Sequence, residues 1–116
     1  MEILKIKGRD ELIDFQVVEA PLNGALLRIT GLLTYYCEIG RDYSIAEYEI
    51  NAKLDKLDIE FNSFSAFIYG LGNVNATQEG ITEMIKSKLE EKLKITGVSV
   101  KLKNLAKGAV VELEMN

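Results

Sequence analysis

The spacing of apolar residues predicts one amphipathic helix near 77–95. Five apolar side chains recur at intervals of three and four residues, on one side of a helix with about 3.6 residues per turn: Ile81, Met84, Ile85, Leu89 and Leu93. Asn75 or Thr77 can cap its start, and Gly97 supplies a left-handed residue after its end. Because an isolated helix of this length is marginal in water, its apolar side must pack on a sheet.

Most of the remaining sequence alternates apolar and polar residues, which predicts strands. We expect strands near 2–7, 12–18, 25–39, 44–54, 57–69, 98–104 and 109–115. The Asp55-Lys56 step is either a hairpin turn or a bulge in one long strand. The turn is favoured, and it would pair Ala52 with Ile59.

Together these elements predict an α+β fold in a single domain, 1–116. The expected sheet is mainly antiparallel and curved, with about six to seven strands. One amphipathic helix covers one face of it, and the order along the chain is strands, helix, hairpin.

Composition excludes several functions. The sequence of 116 residues has a net charge of −4 and a pI of about 4.9, which argues against a basic nucleic-acid-binding surface. It has no histidine and one cysteine, so His-based catalysis and Cys/His metal sites are excluded, and no metal or cofactor is expected. No stretch is apolar for long enough to span a membrane, and no secretion signal is visible, so we expect a cytoplasmic protein.

A glycine-containing loop precedes the predicted helix, at the position where phosphate-binding loops lie. Gly70, Gly72 and Asn73 are its candidate contact residues. The pattern departs from the dinucleotide fingerprint, since Asn75 stands where a third glycine is required and the flanking strands are antiparallel. A plain connector is the commoner interpretation of such a loop.

A second candidate site lies beneath the helix. Lys88 and Lys92 point into its apolar side, and Phe61, Phe64 and Phe67 precede it in a segment that should lie below it. Two lysines above aromatic rings would suit an apolar ligand with an acidic head group. Alternatively, the lysine stems cover apolar surface while the ammonium groups reach water.

A third candidate is an interface on the strand near 25–39, which is apolar on both sides. Leu33, Tyr35 and Tyr36 are its candidate contact residues, because tyrosine is enriched in interface cores. Cys37 follows them without a neighbouring histidine or cationic cluster, so we interpret it as a packing residue.

These observations support three hypotheses about function. The first is a non-enzymatic assembly or protein-interaction module that associates with itself or with another protein, because exposed strand edges need covering. The second is a carrier of a lipid or other apolar small molecule between sheet and helix. An enzyme that works without histidine, through carboxylate, lysine or tyrosine chemistry, ranks third.

Overall fold

A six-stranded sheet forms the frame of the protein in the computed structural model, which describes residues 2–3, 14–21, 23–106 and 108–116. The described elements follow one another as β1 (Glu2–Ile3), β2 (Val17–Glu19), β3 (Leu26–Cys37), β4 (Asp42–Lys53), β5 (Leu57–Ile59), α1 (Phe61–Gly70), a 3-10 turn (Leu71–Asn73), β6 (Val74–Asn75), α2 (Gln78–Leu93), β7 (Ser99–Ala106) and β8 (Ala109–Met115). The fold is therefore α+β with a mainly antiparallel sheet, as the alternation predicted.

The strand order in this sheet is β1-β6-β3-β4-β7-β8. All pairs are antiparallel except β3 and β6, which meet in parallel at Tyr36 and Asn75. A separate ladder joins β2 to β5. The predicted C-terminal hairpin is confirmed as β7 and β8, and Lys101 lies 3.5 Å from Glu112 across it.

The core lies between one face of the sheet and the two helices. Alternate residues of β3, β4 and β7 point into it, including Leu33, Ile50 and Leu102. The apolar side of α2 meets them, with Ile81, Ile85, Leu89 and Leu93 at most 1% exposed. Burial of these side chains offsets the entropy of ordering a helix that is marginal by itself.

The predicted strand at 57–69 is wrong beyond its first residues, since Phe61–Gly70 forms α1, a second α-helix within the described part of the chain. Glu60 caps this helix, because its carboxylate accepts N–H bonds from Asn62 at 2.8 Å and Ser63 at 2.9 Å. The apolar residues recur at i, i+3, i+4 and i+7, which is a helical period: Phe64, Phe67, Ile68 and Leu71. The density of phenylalanine, which favours strands, concealed this spacing.

The predicted hairpin at Asp55-Lys56 is also wrong. β5 leaves the large sheet and pairs with β2, so that Ile59 lies opposite Val17 and not opposite Ala52. Backbone bonds from Asn23 to Asp55 and from Gly24 to Leu54 hold the chain in this new direction. The partner of β5 is therefore β2, which precedes β3 in the sequence, and not the neighbouring strand β4.

Helix α2 matches the helix predicted near 77–95. Thr77 is its N-cap, and the threonine hydroxyl accepts the N–H of Gly80 at 3.1 Å. The helix ends at Leu93, and Lys94 follows it in a left-handed conformation with φ of 57°. Gly97 is also left-handed, with φ of 76°, but it lies three residues beyond this cap. Within the described residues, no helix is both long and apolar enough to cross a bilayer.

Candidate functional site

The lysines that sequence predicted as ligand contacts are engaged by the protein itself. Lys92 lies 3.1 Å and Lys88 3.4 Å from the Asp14 carboxylate. Phe15, the next residue, is 2% exposed and packs edge-on against Phe64 with ring centroids 5.1 Å apart. The segment before β2 therefore occupies the place that the apolar ligand was expected to fill.

The three phenylalanines predicted beside those lysines do not form a cavity with them. Phe64 and Phe67 are core residues, 3% and 0% exposed. Phe61, which is 75% exposed, lies three residues before Phe64 on α1, and these two rings line a groove between β3 and α1 that Lys88 and Lys92 do not line. The hydrogen bond from the backbone N–H of Phe15 is the largest of the influences that lower the pKa of Asp14, and the two lysines act in the same direction. This end of α2 is a filled structural contact in which two ammonium groups share one carboxylate.

The predicted interface residues lie mostly inside the protein. Leu33 is 3% and Tyr35 1% exposed, because both point toward the helices. The Tyr35 hydroxyl accepts a hydrogen bond from Asn104 at 2.8 Å. Tyr36, on the other face, is half-buried against the ring of Tyr43 at 5.3 Å. An alternating strand cannot expose adjacent residues on one face, so this set could not form one patch.

The glycine-containing loop is a close structural junction. Gly70 is buried at the end of α1, and a Cβ at Gly72 would lie 3.3 Å from the Thr34 hydroxyl oxygen. Asn73 ends the 3-10 turn, and its side chain lies outside the described part of the structure. The loop lies one short strand before α2, so the residue that caps the helix is Thr77 and not a loop residue.

A cavity of about 290 Å³ lies at the other end of α2, between the last residues of β3 and the helix N-terminus. We call it the thiol cavity, because the half-buried Cys37, the one cysteine of the sequence, lines it. Its other lining residues include Glu38, Ile39, Asn75, Thr77 and Gly80. It therefore brings together a thiol, a carboxylate, an amide and a hydroxyl group.

Backbone pairing fixes the position of these groups. β6 meets β3 at Tyr36, whose carbonyl oxygen accepts the N–H of Ala76 at 2.9 Å. The ladder between β3 and β4 ends at Cys37 and Asp42, so the thiol lies where the sheet stops. The first turn of α2 lines the same cavity, and the positive end of a helix dipole favours an anion there. The cavity therefore combines a helix end that favours an anion with the negative charge of the Glu38 carboxylate.

Two hydrogen bonds join Glu38 to Asn75 at the edge of the thiol cavity. The Asn75 amide donates to the Glu38 carboxylate at 2.6 Å, and the backbone N–H of Glu38 donates to the Asn75 amide oxygen at 3.0 Å. We call this pair of bonds the Glu38–Asn75 clasp. It connects the turn at 38–41 to the strand that leads into α2.

Two other cavities have less chemistry to offer. A groove of about 480 Å³ on the sheet face opposite the helices is lined by Lys101 and Glu112, whose charged groups lie 3.5 Å apart, and by Glu49, which accepts a hydrogen bond from Arg28 at 2.8 Å. That hydrogen bond is the main reason why the pKa of Glu49 is lowered. A groove of about 540 Å³ between β3 and α1 is lined chiefly by apolar side chains. Within 2–3, 14–21, 23–106 and 108–116, no group of three or more Cys, Asp or Glu side chains could hold a metal ion.

Sequence reasoning missed the thiol cavity. It treated Cys37 as packing and Asn75 as a helix cap, and it did not single out Glu38 as a site residue. The residues lie in two segments about forty positions apart, and they meet through the parallel contact of β3 with β6. A two-residue strand such as β6 has no periodicity that could reveal this pairing.

No family model matches the sequence. No curated protein matches it either. Among solved structures, the crystal structure of the archaeosine synthase QueF-Like in the apo form shares the fold, with a TM-score of 0.72 and 16% sequence identity. The alignment covers 78% of this chain and 90% of that chain. At this identity the similarity establishes the fold.

This comparison corrects two predictions. A non-enzymatic, self-associating module was ranked first and an apolar-ligand carrier second, but the fold is shared with an enzyme, and core side chains fill the expected carrier cavity. Nucleic acid was excluded as a partner because of the net charge of −4, but the similar protein is a synthase of archaeosine, a nucleoside. Net charge describes the whole surface and says little about one cavity.

Proposed function

We propose that the chain is an enzyme domain that acts on a nucleoside-type substrate, free or within a nucleic acid, in the thiol cavity. The observation that carries this proposal is the position of Cys37 in a cavity with Glu38, Asn75 and Thr77, at the N-terminal end of α2. The shared fold with an archaeosine synthase supports the class of substrate. An enzyme without histidine needs another nucleophile, and a thiol serves well.

In the proposed chemistry, Cys37 adds to an electrophilic carbon of the bound base. The sulfur forms a carbon–sulfur bond, and the π electrons of the attacked carbon–heteroatom bond move to the heteroatom. The thiol proton ends on that heteroatom, so the addition balances without a further reactant. Glu38, the carboxylate of the cavity, is the group that we propose to carry the proton between them.

We also propose the extent of the domain, the shape of its sheet and its compartment. Residues 1–116 form one domain with a curved sheet, since sheets twist. It works in the cytoplasm, where reducing conditions keep a lone thiol free.

The direct test is a search for a covalent adduct. The protein is incubated with a panel of nucleosides whose bases carry an electrophilic carbon, with unsubstituted nucleosides as controls, and its mass is measured under denaturing conditions. We expect an added mass equal to one substrate, located on Cys37 by peptide mapping. Cys37→Ser, which keeps a side chain of similar shape but replaces the thiol by a much weaker nucleophile, should form no adduct.

Two outcomes would overturn the proposal. An adduct that forms equally well on Cys37→Ser would assign the chemistry to another residue. No adduct with any compound, together with no shift in melting temperature on adding the unsubstituted nucleosides, would remove the thiol cavity as a nucleoside site. A further measurement distinguishes a free nucleoside from a nucleoside within a nucleic acid. The affinity for unfractionated tRNA is measured at several salt concentrations, and an affinity that falls steeply with salt indicates phosphate contacts and so a nucleic-acid substrate.

A further inference from the structure

The turn at 38–41 borders the thiol cavity through Glu38 and Ile39 and extends beyond the end of the sheet. The β3–β4 ladder stops at the pair of Cys37 and Asp42, so the four residues between them are outside it. Within the turn, the N–H of Arg41 bonds the Glu38 carbonyl oxygen at 3.2 Å, and Arg41 has a φ of 54°. The side chain of Ile39, at the edge of the cavity, is 85% exposed.

The Glu38–Asn75 clasp ties this turn to the opposite wall of the cavity. Its two bonds reach across 37 positions of sequence, from the end of the first hairpin to the start of α2. The bond at 2.6 Å has a charged acceptor, and such bonds are stronger than neutral ones. Both partners are accessible to water, so water can replace the bonds when the turn moves.

The two sides of the clasp differ in how firmly they are held. Asn75 belongs to β6, which the backbone bond from Ala76 to Tyr36 fixes to the sheet. Glu38 belongs to the turn, which lies outside the ladder. Breaking the clasp therefore frees the turn and leaves the wall beside α2 in place.

We infer that the Glu38–Asn75 clasp is a gate that sets how large a molecule can reach Cys37. When the clasp is closed, the turn at 38–41 lies against β6 and only small reagents reach the thiol. When it opens, the turn swings away and a bulky molecule enters. Its meaning for catalysis rests on the proposed function, because a gate matters only where the cavity takes a substrate.

Alkylation of the sole cysteine measures the gate directly. The probes are N-ethylmaleimide and fluorescein-5-maleimide, which share a reactive group and differ in bulk. We expect Asn75→Ala to speed labelling by the bulky probe about tenfold, which corresponds to about 1.4 kcal/mol in the opening equilibrium. Labelling by the small probe should rise less than about twofold, because it needs little opening.

Glu38→Gln provides a graded variant. Glutamine keeps an oxygen that can accept the Asn75 amide but loses the charge, so we expect an acceleration between those of wild type and Asn75→Ala. Because this change is at an exposed residue, it also serves if Asn75→Ala fails to fold. The double variant should be no faster than Asn75→Ala alone, since both changes open one gate.

Thr82→Val is the matched control. Thr82 is buried in the first turns of α2, where its hydroxyl donates to the Gln78 carbonyl oxygen at 2.7 Å, and it is not among the cavity-lining residues. Valine removes this bond at constant size and should loosen the helix without touching the clasp. The gate is refuted if Thr82→Val labels as fast as Asn75→Ala, or if both clasp variants label the bulky probe at the wild-type rate.

This experiment can fail independently of the proposed function, because maleimides need no substrate recognition. A normal nucleoside adduct with unchanged labelling in the clasp variants would remove the gate alone. Size-dependent labelling without any nucleoside adduct would keep the gate and remove the proposed substrate.

Discussion

The two ends of helix α2 show how a protein can fill one candidate site and leave another open. At the C-terminal half, Lys88 and Lys92 share the Asp14 carboxylate, and Phe15 fills the space beneath them. At the N-terminal end, the polar groups around Cys37 border a cavity of about 290 Å³. The sequence indicated Lys88 and Lys92 as a candidate site, but it did not indicate the thiol cavity. Charged side chains near an apolar face therefore indicate a site only when no segment of the same chain pairs with them.

The largest expected change in the free energy of unfolding comes from removing the Phe15 ring, which fills the C-terminal end of α2. Phe15→Ala should lower the free energy of unfolding by about 3–5 kcal/mol, because a buried ring that packs on Phe64 and Phe67 is lost and a cavity remains. Urea denaturation followed by circular dichroism measures it, and Phe15→Leu, which fills most of the volume, should cost much less. If Phe15→Ala lowers the free energy of unfolding by less than about 1 kcal/mol, the C-terminal end of α2 is not filled by Phe15 and is as open as the N-terminal end.

An intermediate effect is expected at the open end. Thr77→Ala should cost about 1 kcal/mol in the free energy of unfolding, since the hydroxyl that accepts the Gly80 N–H is lost. Thr77→Ser keeps the hydroxyl and should remain close to wild type in the same urea titration. If serine costs as much as alanine, the threonine methyl group and not the cap holds this end of the helix.

The smallest effect concerns the charge of the filled end. Because the pKa of Asp14 is lowered in the folded protein, its contribution to stability is present above the unfolded value of 3.8 and is lost as pH falls through the folded value. Asp14 is more than half exposed, so this contribution is a few tenths of a kcal/mol at about neutral pH after screening.

Asp14→Asn isolates that contribution. The free energy of unfolding of wild type minus that of the variant should be larger at about pH 6 than at about pH 3. The pKa values of Glu60 and Glu90 are also lowered, but both groups are present in both proteins and cancel in this difference. An equal difference at the two pH values would show that the Phe15 N–H, Lys88 and Lys92 together do not favour the charged form of Asp14.

Local periodicity predicted two kinds of element correctly: strands whose partners are close in sequence, and helices whose apolar pattern extends over several turns. Helix α2 and the β7–β8 hairpin are confirmed for this reason. The segment at 57–69 was misassigned because four aromatic residues favoured a strand, while the cap at Glu60 and the spacing from Phe64 to Leu71 favoured a helix. The cap decided the outcome, because it satisfies amide groups that a helix start leaves free.

The candidate site was harder to predict because it depends on pairing between distant segments. Tyr36 and Asn75 meet through one parallel contact, which no repeat in the sequence announces. The turn between β3 and β4 was also mispredicted, since strands near 25–39 and 44–54 place it at 40–43, whereas the ladder ends at Cys37 and Asp42 and the turn is 38–41. The turn begins two residues earlier than expected, so a set of outward residues was assigned to one face incorrectly.

The long ladder between β3 and β4 has a consequence for the order of folding. Twelve residue pairs form across a four-residue connection, so this hairpin closes at low cost in chain entropy. Strand β7 pairs with β4 across about fifty positions of sequence that include both α1 and α2, so this pairing costs more chain entropy. We expect the first hairpin to be structured in the folding transition state and the last one to dock late. The wall of the cavity that bears Cys37 would then exist on the nascent chain before the helix that completes it.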